Sequence, residues 1–468
     1  MITMTRMVWR IGQIGQATRG TASPAVIPTA ECNNPTTGVV ALRSDSHPSH
    51  VRTRLFWLVA FPIVATAQRP DSAGPPTLHA VVQYALAKNP DIVTARLHVD
   101  SAHGELGIAR AFTNPTAAVQ PGLPFQYALS SDLDIGPNRY FRIKAARLGL
   151  GATRFSLYDT QRNVVFSVRS AFYDLLLFNA LASLASDQRD ILVQLLAADS
   201  ARLKNGAAAE ADVVTSELNL ARADAALAHA QATVRSGRLA LQLLIGVKQP
   251  DTSFTVMGTL RFETVGVPVD RPDSLLAVAL AERPDLKAAD TQLEASRAIK
   301  GQQDWLLLPY PNLGLSWQPS QPYPGDIPFG KSSRFTLGIS MPVPLWDWYG
   351  GEREKAKAGV AVAQLADNEA RRQAISDVIQ AADSLRSATI LARKYQGGLL
   401  DKTAQAVANA RYAYERGASS LLDVLDAIRT NQDIRTEYLT AVHDYWVAAY
   451  SLDRALGRDL IPDEASPQ

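Results

Sequence analysis

Cysteine and net charge are the scarcest features of this sequence. Cysteine occurs once in 468 residues, at Cys32. That excludes disulfide frameworks, Cys-based zinc sites and CxxC redox chemistry. Lys and Arg number 47 against 45 Asp and Glu, and a net charge of +2 offers no basic stripe for nucleic acid. The 7 histidines are scattered. His98 and His103 stand five apart, on different helix faces, so no metal pair is expected there. No phosphate loop of the GxxxxGK type, no HExxH, no GxSxG and no EF-hand pattern occurs. With no convergent nucleophile, base or metal set, no catalytic residue and no cofactor is expected. The body lacks an apolar run of about 18–20 residues, and the mean hydropathy is −0.06. A multi-span helical membrane protein is thereby excluded, but a β-barrel is not, because its strands are short and half apolar. Hydrophobic residues make up 47%, ample for a large core, and the length suggests about three domains.

Residues 1–50 are rich in Thr, Gly and Pro and show no periodicity. Arg52 and Arg54 then precede an apolar run from Leu55 to Ala65, which ends in Ala65-Thr66-Ala67. A basic flank, a short apolar stretch and an A-x-A site read as a secretory signal over 51–67; a buried helix is the alternative. Residues 1–50 are then a non-structural extension, with Val51 at an alternative start. Removing 1–67 removes six Lys/Arg and two Asp/Glu, which shifts the net charge from +2 to −2. It also removes Cys32, whose preceding Glu31 makes a poor lipidation site.

The body is duplicated. Ala85-Leu86-Ala87-Lys88-Asn89-Pro90-Asp91 recurs 194 positions on as Ala279-Leu280-Ala281-Glu282-Arg283-Pro284-Asp285. Gly206, Asp212 and Gly246 recur 211 positions on at Gly417, Asp423 and Gly457. The first copy spans 68–250, a connecting segment 251–271, the second copy 272–460, and a tail 461–468. In each copy a proline-free stretch, Asn138–Asn205 and Gly350–Arg416, predicts a single helix of roughly 100 Å, stopped by Gly206 and Gly417. The returning helices carry heptads. Leu421, Val424, Ile428, Asn431, Arg435, Tyr438, Val442, Tyr445, Ala449, Leu452 and Leu456 form one seam. Val214, Leu218, Ala221, Ala225, Ala228, Ala232 and Leu239 form its counterpart.

Between the short and long helices the period changes to two. Phe335, Leu337, Ile339, Met341, Val343 and Leu345 alternate with polar or small residues, and so do Leu313, Leu315 and Trp317. They predict a hairpin over about 310–345, and a weaker pattern predicts another over about 115–136. Four strands of about ten residues cannot close a barrel with room inside and would leave their edges unpaired. If they lie in lipid, other copies must close them, and three copies give twelve strands. Tyr310, Trp317, Trp346 and Trp348 flank the second hairpin as a membrane-interface belt or as ordinary packing. The alternative architecture is a soluble helical adaptor or envelope scaffold with two decorative hairpins and no pore.

These residues resemble the TolC-like outer-membrane efflux proteins along roughly 75–460. The resemblance rests on the duplicated A-L-x-x-x-P-D openings, on Gly350-Gly351-Glu352, and on Ile135-Gly136-Pro137-Asn138-Arg139. It rests also on Tyr414-Glu415-Arg416-Gly417 followed by Leu422-Asp423-Val424-Leu425-Asp426-Ala427. It implies a mainly α chain with a membrane β-barrel: a homotrimer whose coiled coils form an α-barrel through the periplasm, under a shared 12-stranded barrel in outer-membrane lipid. It further implies a passive exit duct served by a periplasmic adaptor and an inner-membrane pump of the RND or ABC type, with no enzymatic role. The segment Lys248–Pro272 would join a belt around the tunnel. Gly206 and Gly417 would form the periplasmic tip, which meets the adaptor. Asp423 and Asp426, three apart and so on one helix face, would become six carboxylates around the axis and favour cations. For Asp423 a helix-start role near the dipole is the alternative. The resemblance also carries over Tyr414 and Asp212 as a pair coupling neighbouring coils, while Ser419 stands where the family has an arginine. It leaves the cargo open among metal ions, drugs and polypeptides.

Overall fold

The computed structural model describes residues 75–121, 125–266, 271–308, 310–320 and 332–461. The chain divides between Ala67 and Gln68, and every described residue belongs to the second unit. The expected extension, the signal and Cys32 lie outside the described residues.

The two copies have the same element order, except that the long helix of the second is in two pieces. The first runs α1 (Leu78–Lys88), α2 (Pro90–Arg110), β1 (Thr116–Gln120), β2 (Gln126–Asp132), α3 (Pro137–Lys204) and α4 (Glu210–Leu244). The second runs α5 (Pro272–Glu282), α6 (Pro284–Asp304), β3 (Asn312–Gln318), β4 (Arg334–Ser340), α7 (Gly350–Gln396), α8 (Leu399–Glu415) and α9 (Leu421–Leu456). Each short-helix pair is split by an X-Pro step, because proline occupies the first helical position and disfavours helix in the residue before it. At Asn89 the side chain caps α2 by accepting from the amides of Asp91 and Ile92.

The duplication extends to single contacts. Asn89 donates its amide to the carbonyl of Leu244 at 2.6 Å. At the corresponding place Arg283 donates to the carbonyl of Ala455 at 3.1 Å. In both copies a residue at the X-Pro step thus satisfies a carbonyl left free at the end of the returning helix. The glycine just beyond that end, Gly246 or Gly457, has positive φ and lies against the same step. Arg283 is buried and also pairs with Asp285 at 2.7 Å and Asp377 at 3.0 Å.

α3 runs unbroken for 68 residues, about 100 Å at 1.5 Å per residue. It is the one described helix long and apolar enough to cross a membrane by length and composition. Its apolar stretch is core instead. Val168, Phe172, Tyr173, Leu175 and Leu176 are buried among Tyr445, Trp446 and Tyr450 of α9. Tyr173 stacks on Trp446 with ring centroids 5.3 Å apart. The connecting segment straps this core: Phe262 packs edge-on to Tyr445, Trp446 donates to the carbonyl of Arg261, and the Val265 amide donates to the Tyr445 hydroxyl. A second apolar cluster joins Leu192, Leu195 and Ala223 to Val407, Tyr414, Leu421, Val424 and Ile428 at the tip.

Two sequence expectations are corrected. The second long helix is not continuous: Gly397 and Gly398 divide it into α7 and α8, with Gly398 at φ +89°. Adjacent glycines lack the side chains that favour helix over coil, and the pair outweighs the surrounding propensity. The heptad register holds in α9, where eight of the eleven seam positions are buried, but not in α4. All seven residues of the expected first seam are exposed, and α4 turns Ser216, Ala223, Val234 and Leu241 inward instead. An alanine-rich helix is apolar around much of its circumference, so periodicity alone does not choose its buried face.

Candidate functional site

The four strands form one antiparallel sheet in the order β1-β2-β3-β4. They are five to seven residues long, shorter than the ten expected. The register sorts the residues onto two faces. Val119, Tyr127, Trp317 and Phe335 are mutual neighbours in one row, and Ala117, Leu129, Leu315 and Leu337 in the next, followed by Leu313 and Ile339. The opposite face carries Ala128, Ser130, Gly314, Ser316, Thr336, Gly338 and Ser340. Although apolar, the first face is uncovered: Phe335, Leu337 and Ile339 are each about 70% exposed. Tyr127, Trp317 and Phe335 stack face to face across three strands. Trp346 and Trp348 stand exposed beyond the other end of β4. Tyr310 is half-buried at that same end.

Where the strands meet the helices, a charge cluster ties the parts together. Buried Asp134, between β2 and α3, pairs with Arg139 and Arg142. Both arginines also donate to carbonyls at the end of α2, Arg139 to Arg110 and Ala111, Arg142 to Ala109. Burial alone would raise the Asp134 carboxyl, but the hydrogen bonds from Arg142 and Arg139 hold it below its ordinary value. Arg139 stands in the quoted Ile135–Arg139 motif, but this anchoring is not legible there, because its carbonyl partners lie 28–33 residues away.

At the opposite end lie the two tip turns. Gly206 and Gly417 have φ of +70° and +74°. Each follows a helix, and the next amide reaches back to close the last turn, Ala207 to Arg202 and Ala418 to Ala413. Ser420 caps α9, and its amide donates to Asp423 at 2.9 Å while the Asp423 amide donates to the serine hydroxyl at 3.2 Å. The Ser419 hydroxyl donates to the same carboxylate at 3.2 Å. These bonds, led by the Ser420 amide, hold the Asp423 carboxyl below its ordinary value. Asp423 thus has a helix-start role in the chain, and Ser419 serves that cap. Asp426 is exposed, one turn further on.

Tyr414 and Asp212 do not bond to each other. Asp212 turns back on its own helix and accepts from the Ala209 amide at 3.4 Å. Tyr414 donates instead to Asp199 on α3, at 2.5 Å. Asp199 is fully buried and also accepts from Ser216 of α4, at 2.5 Å. Arg202 places its guanidinium 4.3 Å above the Tyr414 ring and donates to the Tyr414 carbonyl. Burial and the Asp199 bond raise the Tyr414 hydroxyl well above its ordinary value. Asp199, Arg202 and Ser216 escaped sequence reading because they sit inside uninterrupted helices, where polar residues normally mark a solvated face.

Residues 275–458 match the model of the outer membrane efflux protein family. The cobalt-zinc-cadmium resistance protein CzcC of Cupriavidus metallidurans is 26% identical over 405 residues, covering 83% of this chain and 91% of that protein. The outer membrane efflux protein BepC of Brucella suis is 26% identical over 322 residues, 68% of each. Among solved structures, CusC superposes with a TM-score of 0.69 at 19% identity, covering 84% of this chain and 98% of that one. The outer membrane protein VceC of Vibrio cholerae gives 0.68 at 18%, covering 81% and 96%. These superpositions are likenesses of fold. The chain thus has the fold of these outer-membrane channels, and its second copy is similar in sequence to the outer membrane efflux protein family.

Proposed function

We infer that this chain is the exit duct of a tripartite efflux system, a passive conduit from the periplasm through the outer membrane. The observation that carries the reading is the two-faced sheet: one face apolar and uncovered, the other small and polar, at one end of a helical body about 100 Å long. Seven residues at about 3.4 Å each separate Tyr310 from Trp317, roughly 24 Å, which is about the height of an outer-membrane apolar band. Trp346 and Trp348 mark the inner rim of that band, and the Tyr127-Trp317-Phe335 stack its outer part.

The functional unit is a homotrimer. β1 and β4 each have one unpaired edge among the described residues, and an open edge in lipid leaves amides and carbonyls without partners. Three sheets joined edge to edge give the shared 12-stranded barrel. The exposed heptad of α4, Val214 to Leu239, is suited to contact between copies in the α-barrel. A periplasmic adaptor engages the tips at Gly206 and Gly417, and an RND or ABC pump delivers the cargo. CzcC is named for cobalt-zinc-cadmium resistance, so divalent cations are the first cargo to test. Asp426, exposed near the tip and outside the cap, is the carboxylate proposed to ring the constriction; Asp423 adds its charge while fastening the helix.

Single-channel recording in a planar bilayer tests the reading. Discrete channels are expected, with cation selectivity that falls in Asp426→Ala. A folded protein that never conducts, and stays monomeric in detergent, would instead favour a periplasmic scaffold.

A further inference from the structure

We propose that a cavity between α3 and the end of α9 is a binding site for a phosphate group. It stands apart from both the sheet and the tip, and its geometry holds whether or not the chain conducts.

The cavity has a volume of about 190 Å³ and is lined by four arginines, Arg162, Arg169, Arg454 and Arg458, against two carboxylates, Asp453 and Asp459. Like charges gathered this closely call for counter-charge, and the four do not find it equally. Arg162 is fastened to Asp159 and to the Arg454 carbonyl. Arg458, at the surface, comes no nearer than 3.7 Å to Glu282. Arg454 is half-buried and lies over the Phe166 ring at 4.4 Å, and among the described residues its guanidinium has no hydrogen bond or ion pair. Burial holds its pKa below the ordinary value, with Arg162 and Arg283 adding to that and Asp377 opposing it. Arg169 is almost wholly enclosed and donates to Asp459 at 2.8 Å. Asp459 itself is 69% exposed, so its carboxylate can turn to water at little cost and leave that guanidinium to another oxyanion. Asp453 stays 3.9 Å from Arg169, is occupied by the amides of Leu460 and Ile461, and is raised by burial to about 7.

The duplication shows that the architecture does not require these charges. The 211-residue offset sets Gln373, Gln380, Leu243 and Val247 at the positions of Arg162, Arg169, Arg454 and Arg458. A cation near a helix C-terminus is favoured by the dipole. Yet α4 ends with no basic residue in its last turn, whereas α9 ends with Arg454. A phosphate suits the cavity better than a carboxylate does. It offers oxygens in several directions to guanidiniums that approach from α3, from α9 and from the turn beyond it, and arginine forks pair with it bidentately. Arg454 and Arg169 hold the anion, and Arg458 covers it from the surface. Arg162 stands roughly 40 Å along α3 from its start at Pro137, at about 1.5 Å per residue. That is beyond the reach of lipid headgroups around a sheet in the membrane, so the phosphate is free or carried by a soluble molecule.

The test is isothermal titration of the full chain in detergent with inorganic phosphate and with glycerol 3-phosphate, chloride keeping the ionic strength constant. Saturable binding at one site per chain is expected. A response to both probes identifies the phosphate of an ester, and a response to inorganic phosphate alone identifies the free ion. Arg454→Gln should weaken binding at least about tenfold, the loss expected for a hydrogen bond between charged groups. Asp459→Asn should tighten it severalfold, because it removes the carboxylate that competes for Arg169. Damage to the fold would not produce that gain. If Arg454→Gln loses its helical signal, Asp459→Asn therefore decides. The absence of saturable heat with either probe would overturn the site. Binding unchanged in both variants would overturn its location, and acetate binding as tightly as phosphate would overturn the choice of ligand.

Discussion

At Gly457 the backbone has φ +74°, and a Cβ would stand 2.9 Å from the Cα of Arg283. Gly417 has the same φ, yet nothing lies within 4 Å of its Cβ position. Gly417→Ala should therefore cost only the left-handed strain, about 1–2 kcal/mol, and Gly457→Ala should cost more. Thermal melts of the two variants side by side check the order. A second residue-scale effect concerns Asp453. It is buried beside Arg169 and accepts the amides of Leu460 and Ile461. Burial, the largest influence, outweighs those bonds and raises its carboxyl to about 7. A raised carboxyl favours the folded state at low pH, and that contribution is lost as pH rises through about 7. His443 acts with the same sign. Although burial disfavours its charge, Asp174 at 2.7 Å and Asp444 at 3.0 Å hold its pKa above the ordinary value. The melting temperature should fall between pH 6 and pH 8, and Asp453→Asn should flatten that slope; an unchanged slope would remove Asp453 from the account.

Among the elements, the two tip helices differ in how they start. α9 begins with Ser420 and a complete reciprocal cap, whereas α4 begins with Ala209, which can supply only half of one. Ser420→Ala should weaken the first turn of α9 by about 1 kcal/mol, read as faster amide exchange at Asp423 and Val424. Ala209→Ser should strengthen α4 by a similar amount, about 1 kcal/mol, because Asp212 already waits at the third position. The duplication and the long helices are plain in the residues, since an absence of proline and a repeated A-L-x-x-x-P-D need no tertiary context. The joint at Gly397–Gly398 was visible as two adjacent glycines, but the expected uninterrupted helix absorbed them. Glycine is only about 1 kcal/mol worse than alanine inside a helix, and packing decides whether that suffices to break it.

For the whole molecule, the uncovered apolar face of the sheet and the exposed heptad of α4 are large surfaces that a lone chain in water would not keep bare. Native mass spectrometry in detergent should find three copies. Charged residues at Leu337 and Ile339 should cost about 2–4 kcal/mol each if they face mid-bilayer, and far less if the sheet stands in water. Measuring recovery of the folded trimer from membranes for those variants, beside Thr336→Lys on the other face, separates the two situations.

Repeat, turn glycines, strand alternation and the length of α3 were legible in the chain, because each depends on neighbours a few residues apart, whereas the break between α7 and α8 was not. A helix-start role for Asp423 was one of two readings the chain offered, since a carboxylate in the first turn after a tip glycine is a local pattern. The family resemblance added the tip and the barrel, and it named Tyr414. It paired Tyr414 with Asp212, which is not the carboxylate the phenol meets. Asp199 lies 215 positions away, and only the stacking of α8 on α3 and α4 decides that the phenol meets that carboxylate rather than Asp212. The buried face of α4 and the pairing of Arg283 with Asp377 have the same origin. A side chain's own sequence states its chemistry, but which group answers it is set by how long helices align, a global property with no local signature.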